Sequence, residues 1–192
     1  MKKHIILFTI TLLVISNSLT FNVHATSANT ELQNTCANFL KKYDVISGYP
    51  DGSLKLNNYL TRAEFTTLII RLMNYDTSID TKNYSLDFQD IKSTHWAYNN
   101  LKIAVNKNLI SGYLDKTFRP NNKVNYAEAL TIIINALGYS KSLTGTWPDN
   151  VLTMSKTLNI TKNLTLDKST SLTRGEICIL LYDALTVNFN NY

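Results

Sequence analysis

The sequence predicts an all-α fold: three helix-loop-helix repeats behind an N-terminal export signal. Two observations carry that prediction. One apolar helical stripe occurs three times, and a segment starting at Val45 returns sixty-four residues later. The composition permits such a fold. Of 192 residues, 44% are hydrophobic, 17% charged and 10% aromatic, enough for a core and too little charge for a disordered tail. Three Pro and six Gly exclude collagen-like or Pro-rich architecture.

The chain opens on Lys2 and Lys3, an apolar run from Ile5 to Ile15, and Val23-His24-Ala25. That order predicts a signal peptide over residues 1–25, because the run is too short for a stable membrane span. An uncleaved anchor is the alternative. Removing 25 of 192 residues, with two lysines and no acid, leaves 167 residues with seventeen basic and fourteen acidic side chains, a net +3. No Cys stands at the cut, which argues against a lipoprotein, and no second long apolar run follows. The mature chain is therefore expected to be soluble and free of the membrane. A modest charge without a Lys/Arg block excludes nucleic acid as a partner. An anionic cell-wall polymer suits a mildly basic exported chain better.

The first copy reads Val45-Ile46-Ser47-Gly48-Tyr49-Pro50-Asp51-Gly52 and the second Leu109-Ile110-Ser111-Gly112-Tyr113-Leu114-Asp115-Lys116. The same spacing carries Leu60-Thr61-Arg62-Ala63-Glu64 onto Val124-Asn125-Tyr126-Ala127-Glu128. A third pentapeptide, Leu172-Thr173-Arg174-Gly175-Glu176, follows a shorter loop without the Gly-Tyr-x-Asp part. The repeats divide the chain at 26–84, 85–145 and 146–192, with linkers Asp76–Ser85 and Ser140–Thr146.

Each pentapeptide starts a helix. Thr61 with Glu64 and Thr173 with Glu176 have the spacing of a capping box, and Asn125 with Glu128 caps the second copy. Leu60 with Phe65 and Leu172 with Ile177 stand at hydrophobic-staple positions. The stripes that follow are Phe65, Leu68, Ile69, Leu72, Met73; Ala129, Ile132, Ile133, Ala136, Leu137; and Ile177, Leu180, Leu181, Ala184, Leu185. A shorter helix precedes each loop, over roughly Leu32 to Tyr43, from near Ser93 through Val105, and over Asp149 to Leu158. No two-helix unit buries its stripe alone, so the three should share a core.

Cys36 and Cys178 are the only cysteines. In an oxidising compartment they can pair; the alternative is two buried thiols, which Cys178 suits by standing between Ile177 and Ile179. With His95 the one histidine after cleavage, a Cys/His metal site is implausible, and no cofactor is expected. His95 reads as a local hydrogen-bonding partner.

These motifs resemble the S-layer homology family. Phe88-Gln89-Asp90-Ile91, His95-Trp96-Ala97 and Ile110 through Pro120 carry the resemblance in the second copy, Val45 through Glu64 in the first, and Leu172 through Glu176 in the third. In the third, Trp147-Pro148 stands in place of the His-Trp-Ala region. The resemblance implies three tandem repeats packed as a pseudo-three-fold unit. It further implies non-covalent binding of secondary cell wall polysaccharide, typically pyruvylated, in grooves between repeats, and surface proteins as further partners. The Arg of the pentapeptide would pair with the sugar carboxylate, here Arg62 and Arg174.

The residue chemistry agrees. An Arg directly after an N-cap is disfavoured by the helix dipole, so its presence twice asks for an anion on which free N–H groups and guanidinium converge. Tyr126 replaces the Arg in the second copy; it can stack on a sugar or donate one hydrogen bond, leaving at most two acid-binding grooves. Gly48 and Gly112 read as tight-turn residues whose backbone can line a groove. Tyr49 and Tyr113 face sugar or core. Asp51 and Asp115 accept sugar hydroxyls or cap an Asx turn. Trp96 is expected in the core, with an edge toward a groove.

Three other functions compete with this reading. No nucleophile or metalloprotease motif occurs, and Asp87 with Asp90 is too generic for glycosidase chemistry, so an enzyme is not expected. Each Asp-Gly-type loop supplies one Asp where a calcium loop needs several oxygen ligands. The third is a surface-layer structural or adaptor protein, or a remnant of a larger one, suggested because no cargo domain is read in the sequence; no sortase-like C-terminal signal is read either, which fits non-covalent wall binding.

Overall fold

The computed structural model describes residues 29–78, 81 and 83–190. The expected signal peptide and its cleavage site lie outside them. Among the described residues six α-helices form the fold: α1 over residues 29–42, α2 Arg62–Leu72, α3 Tyr98–Asn106, α4 Tyr126–Ala136, α5 Asp149–Thr157 and α6 Arg174–Ala184. A 3₁₀ turn, Ser140–Ser142, joins α4 to α5. The described residues form no sheet; they contain only isolated bridges.

The three long helices start where their caps predict. Thr61, Asn125 and Thr173 each accept from the N–H three residues on, and Glu64, Glu128 and Glu176 each accept from the cap's N–H. All three capping boxes are complete. The predicted stripes are buried, apart from half-buried Leu72 and Met73 and exposed Leu185. Burial runs well beyond them, however. Ile70, Leu130, Ile134, Ile179 and Thr66 are enclosed too. The reason is that α2, α4 and α6 are central, with α1, α3 and α5 laid around them. Thr66 is tolerated there because its hydroxyl donates to the Arg62 carbonyl one turn back.

The packing partners cross the sequence repeats. α3 packs on α2 and α5 on α4, so each short helix covers the long helix of the preceding copy. α1 closes the ring on α6: Phe39 meets Tyr182 edge-on with centroids 5.1 Å apart, and Gln33 lies against Gly175. α3 begins at Tyr98, later than Ser93, because no side chain caps it. Residues 93–97 turn instead, His95 donating its N–H to the Lys92 carbonyl and accepting the Ala97 N–H on its ring.

Three backbone hydrogen bonds form a closed cycle at the N-terminal ends of the long helices. Leu60 N–H donates to Leu172 O (3.2 Å), Leu172 N–H to Val124 O (3.0 Å) and Val124 N–H to Leu60 O (3.0 Å). Just inside it, each long helix gives its first two N–H groups to the next copy's loop. Arg62 and Ala63 donate to Asn122 and Pro120, Tyr126 and Ala127 to Thr170 and Lys168, Arg174 and Gly175 to Asn58 and Leu56. The third N–H goes to the cap side chain. Hence the pseudo-three-fold arrangement: donors that a helix start leaves unpaired are satisfied by the neighbour.

Cys36 and Cys178 are buried as free thiols, so the pairing expectation gives way to the alternative. Burial raises the Cys36 thiol to about 11 and Cys178 to about 12. At pH 8 neither should react with a thiol reagent until the chain unfolds, and a stoichiometric labelling assay with and without denaturant checks this.

Gly112 has no positive φ and is not a turn glycine; it is required by a neighbour. A Cβ there would stand 2.4 Å from the Phe88 ring and 2.8 Å from Thr117 O. Gly48 is likewise not at positive φ, and a Cβ there would meet nothing closer than 3.5 Å. Gly112→Ala should therefore cost about 1–3 kcal/mol in a urea melt, while Gly48→Ala should stay within about 0.5 kcal/mol.

Candidate functional site

Between the first and second copies lies a groove of about 240 Å³. Arg62 from α2 forms one wall and the Leu109–Tyr113 loop another; Glu128, Thr131, Ile132 and Asn135 of α4 and Trp147 complete it. The loop is held from behind. Asp90 accepts from the Phe118 and Arg119 N–H groups (2.8 and 2.7 Å), and Phe88 stacks on Phe118 at 5.4 Å. The Phe-x-Asp motif is thus a brace for the groove loop.

Arg62 is not a free cation in this groove. It is buried, with Nε donating to Phe118 O at 2.9 Å. Its guanidinium lies between the Tyr113 and Phe118 rings, 4.8 and 4.7 Å from their centroids. Nη1 stands 3.1 Å from Glu128 Oε1, and the Tyr113 hydroxyl donates to that same oxygen. Burial, reinforced by the bond to Glu128, holds the Tyr113 phenol above its ordinary value.

Arg174 occupies the equivalent position between the third and first copies, in a different state. Nη2 donates to Ser47 O at 2.7 Å, and the Tyr49 ring is 5.7 Å away. Nε is buried with no hydrogen-bond partner. Among the described residues no carboxylate lies within ion-pair distance of Arg174; Glu64, the counterpart of Glu128, accepts from the N–H and hydroxyl of Thr61.

At the third junction Tyr126 is 1% exposed, and its hydroxyl donates to Leu164 O at 2.8 Å. The expectation that it offers a ring face or a donor to a sugar is corrected: the phenol replaces the arginine's structural hydrogen bond and fills core space. The adjoining hollow, about 530 Å³, includes Lys156 and Lys162. Lys162 is already paired with fully buried Asp183 at 3.6 Å.

Two further expectations change. The helix-start N–H groups are not free for an anion; neighbouring carbonyls and cap side chains occupy all three. Trp96 is 62% exposed and therefore not a core residue. Asp51 and Asp115 cap their own turns, accepting from the N–H and hydroxyl of Ser53 and Thr117. The Thr117 hydroxyl, then Arg119, draws the Asp115 carboxyl down to about 2.

Sequence reasoning missed Trp147, whose Nε1 donates to Thr131 Oγ1 at 3.0 Å and whose ring is 57% exposed at the groove. A signal was present, since Trp147 stands before α5 as Trp96 stands before α3. The pairing of Arg62 with Glu128 left no signal, because the two belong to different copies.

The S-layer homology domain profile matches residues 37–66 and 87–130, which span the loop and helix start of the first two copies. The third copy lies outside those segments and is placed by its share of the backbone ring. The chain is 35% identical over 149 residues to the middle cell wall protein of Brevibacillus brevis, covering 78% of this chain and 14% of that protein. It is 34% identical over 125 residues to a surface layer protein of Brevibacillus choshinensis, covering 65% and 11%. With a cellulosome-anchoring protein of Acetivibrio thermocellus it shares 38% identity over 87 residues, covering 45% and 20%. The chain thus spans a fifth or less of these relatives' lengths. On motif, fold and similarity together, the chain belongs to the S-layer homology family.

Proposed function

We propose that this chain is a cell-surface anchoring module that binds an anionic secondary cell wall polysaccharide without covalent attachment. The observation that carries the reading is Arg174. The residue is half-buried, beside Tyr49, and among the described residues it has no carboxylate partner and leaves one buried N–H unpaired. An unmade hydrogen bond of this kind costs about 1–3 kcal/mol, which a ligand oxygen recovers once a shift of the side chain brings Nε to the surface. A pyruvyl carboxylate presents two such oxygens to the guanidinium fork. Names of relatives such as cell wall protein, surface layer protein and cellulosome-anchoring protein support a place at the cell surface. A repeating polymer adds avidity, because neighbouring epitopes raise the effective concentration at each site. The module binds rather than catalyses in this reading.

The test is retention of the chain on purified cell-wall sacculi, native or stripped of secondary polysaccharide. Native sacculi should hold it and stripped ones should not. Arg174→Ala should weaken retention by about 10–100-fold, the scale of one charge-assisted hydrogen bond, and Arg174→Lys should recover only part. Equal retention on stripped sacculi would sink the proposal.

Arg62→Ala should act first on stability. It strands Glu128 in a site where that side chain is 12% exposed, so a loss of about 2–4 kcal/mol is expected in chemical denaturation. Arg174→Ala should cost well under 1 kcal/mol in the same assay.

A further inference from the structure

We infer that Glu128 is a specificity-determining residue that makes the groove between the first and second copies take an uncharged sugar. The inference rests on the wall-polysaccharide reading above. The Glu128 carboxylate already holds the position a ligand's carboxylate would take on Arg62. Its Oε1 accepts from Tyr113 and stands 3.1 Å from Arg62 Nη1, while Oε2 accepts from the Asn125 N–H at 3.1 Å. The two side chains are 6% and 12% exposed, so the charge on one cancels the other in a poorly solvated site.

A second carboxylate brought to this guanidinium meets Glu128 as a like charge. It can only accept hydrogen bonds, and the acceptor position is taken. A sugar hydroxyl meets no such conflict, since it accepts from the guanidinium and donates to the carboxylate. The rest of the groove suits one sugar ring. Trp147 offers an exposed indole, Ser111 a hydroxyl and Ile132 an apolar wall, in a volume of about 240 Å³, below that of drug-sized pockets. Arg174 has no acidic counterpart among the described residues, so the two arginine grooves differ in the ligand charge they accept.

Glu128→Gln tests this without removing the cap, because Gln serves in a capping box and still accepts from Asn125. In a Trp96→Phe background, Trp147 is the only tryptophan, and its fluorescence reports on this groove. The probes are a pyruvylated N-acetylhexosamine methyl glycoside and its uncharged, pyruvate-free counterpart. The parent should bind the uncharged glycoside more tightly at Trp147. Glu128→Gln should shift the acid-to-neutral affinity ratio toward the acid by at least about tenfold. Glu64→Gln, which alters the equivalent cap without an arginine pair, should leave the Trp147 ratio unchanged.

An unchanged ratio in Glu128→Gln overturns the inference, as does an equal shift in Glu64→Gln or an absence of any response at Trp147. In each case retention on native sacculi separates the failures. If Arg174-dependent retention persists, anchoring stands and only the role of Glu128 falls. If retention is absent too, both fall.

Discussion

The cycle of Leu60, Val124 and Leu172 is the constraint on which the rest depends. Each residue donates to one neighbour and accepts from the other, so no copy completes its backbone pairing alone. The bonds beside it settle the next question, where a buried helix start finds acceptors for its first N–H groups. Loop residues 120–122, 168–170 and 56–58 supply them from the adjacent copy. A loop held in this way is fixed in register against the neighbour's helix. Grooves between copies follow directly, since loop and helix start meet there at a defined spacing.

This geometry places the residue after each cap at a junction. That residue's N–H is consumed by the neighbour, and its side chain must leave along the neighbour's loop. Arginine, arginine and tyrosine give three outcomes at one backbone position. Arg62 is buried between two rings and neutralised by Glu128; Arg174 reaches Ser47 and keeps a donor unpaired; Tyr126 donates to Leu164 and closes the gap. The differences come from what faces each residue. Arg62 meets Phe118 and Glu128, whose Oε1 lies outside its capping box, since the Asn125 N–H takes Oε2. Glu64 is gripped by both N–H and hydroxyl of Thr61.

The fold was legible where its cause is local. The caps at Thr61, Asn125 and Thr173 and the apolar spacing after them are properties of ten consecutive residues, and the helices begin there. Burial all round α2, α4 and α6 was not legible, because it depends on the next copy's short helix covering the far face. Trp96 was misplaced in the core for a related reason. The rule that an aromatic at a helix start packs inward ignores that α3 is an outer helix. The candidate site divides the same way: the arginines were visible as a pattern, their partners were not, since Glu128 is sixty-six residues from Arg62 and Ser47 far more from Arg174.

Repetition fixes the frame, and substitution within it tunes the junctions separately. Changing Thr61 to its counterpart Asn125 alters a cap by one hydrogen bond and leaves the helix start intact. In both caps the box binds Oε2, so the second carboxylate oxygen is left over, and at Glu128 that oxygen, Oε1, meets an arginine of the neighbouring copy. A stabilising ion pair and a charge-neutral groove arise together from that contact. The cost is that Arg62 no longer offers an uncompensated charge, and Arg174 alone keeps that capacity. Three junctions built on one backbone plan therefore need not bind one ligand three times. In this chain they divide into a charged junction, a neutralised one and a filled one, and the division is set by which side chain reaches each loop rather than by the helices that frame it.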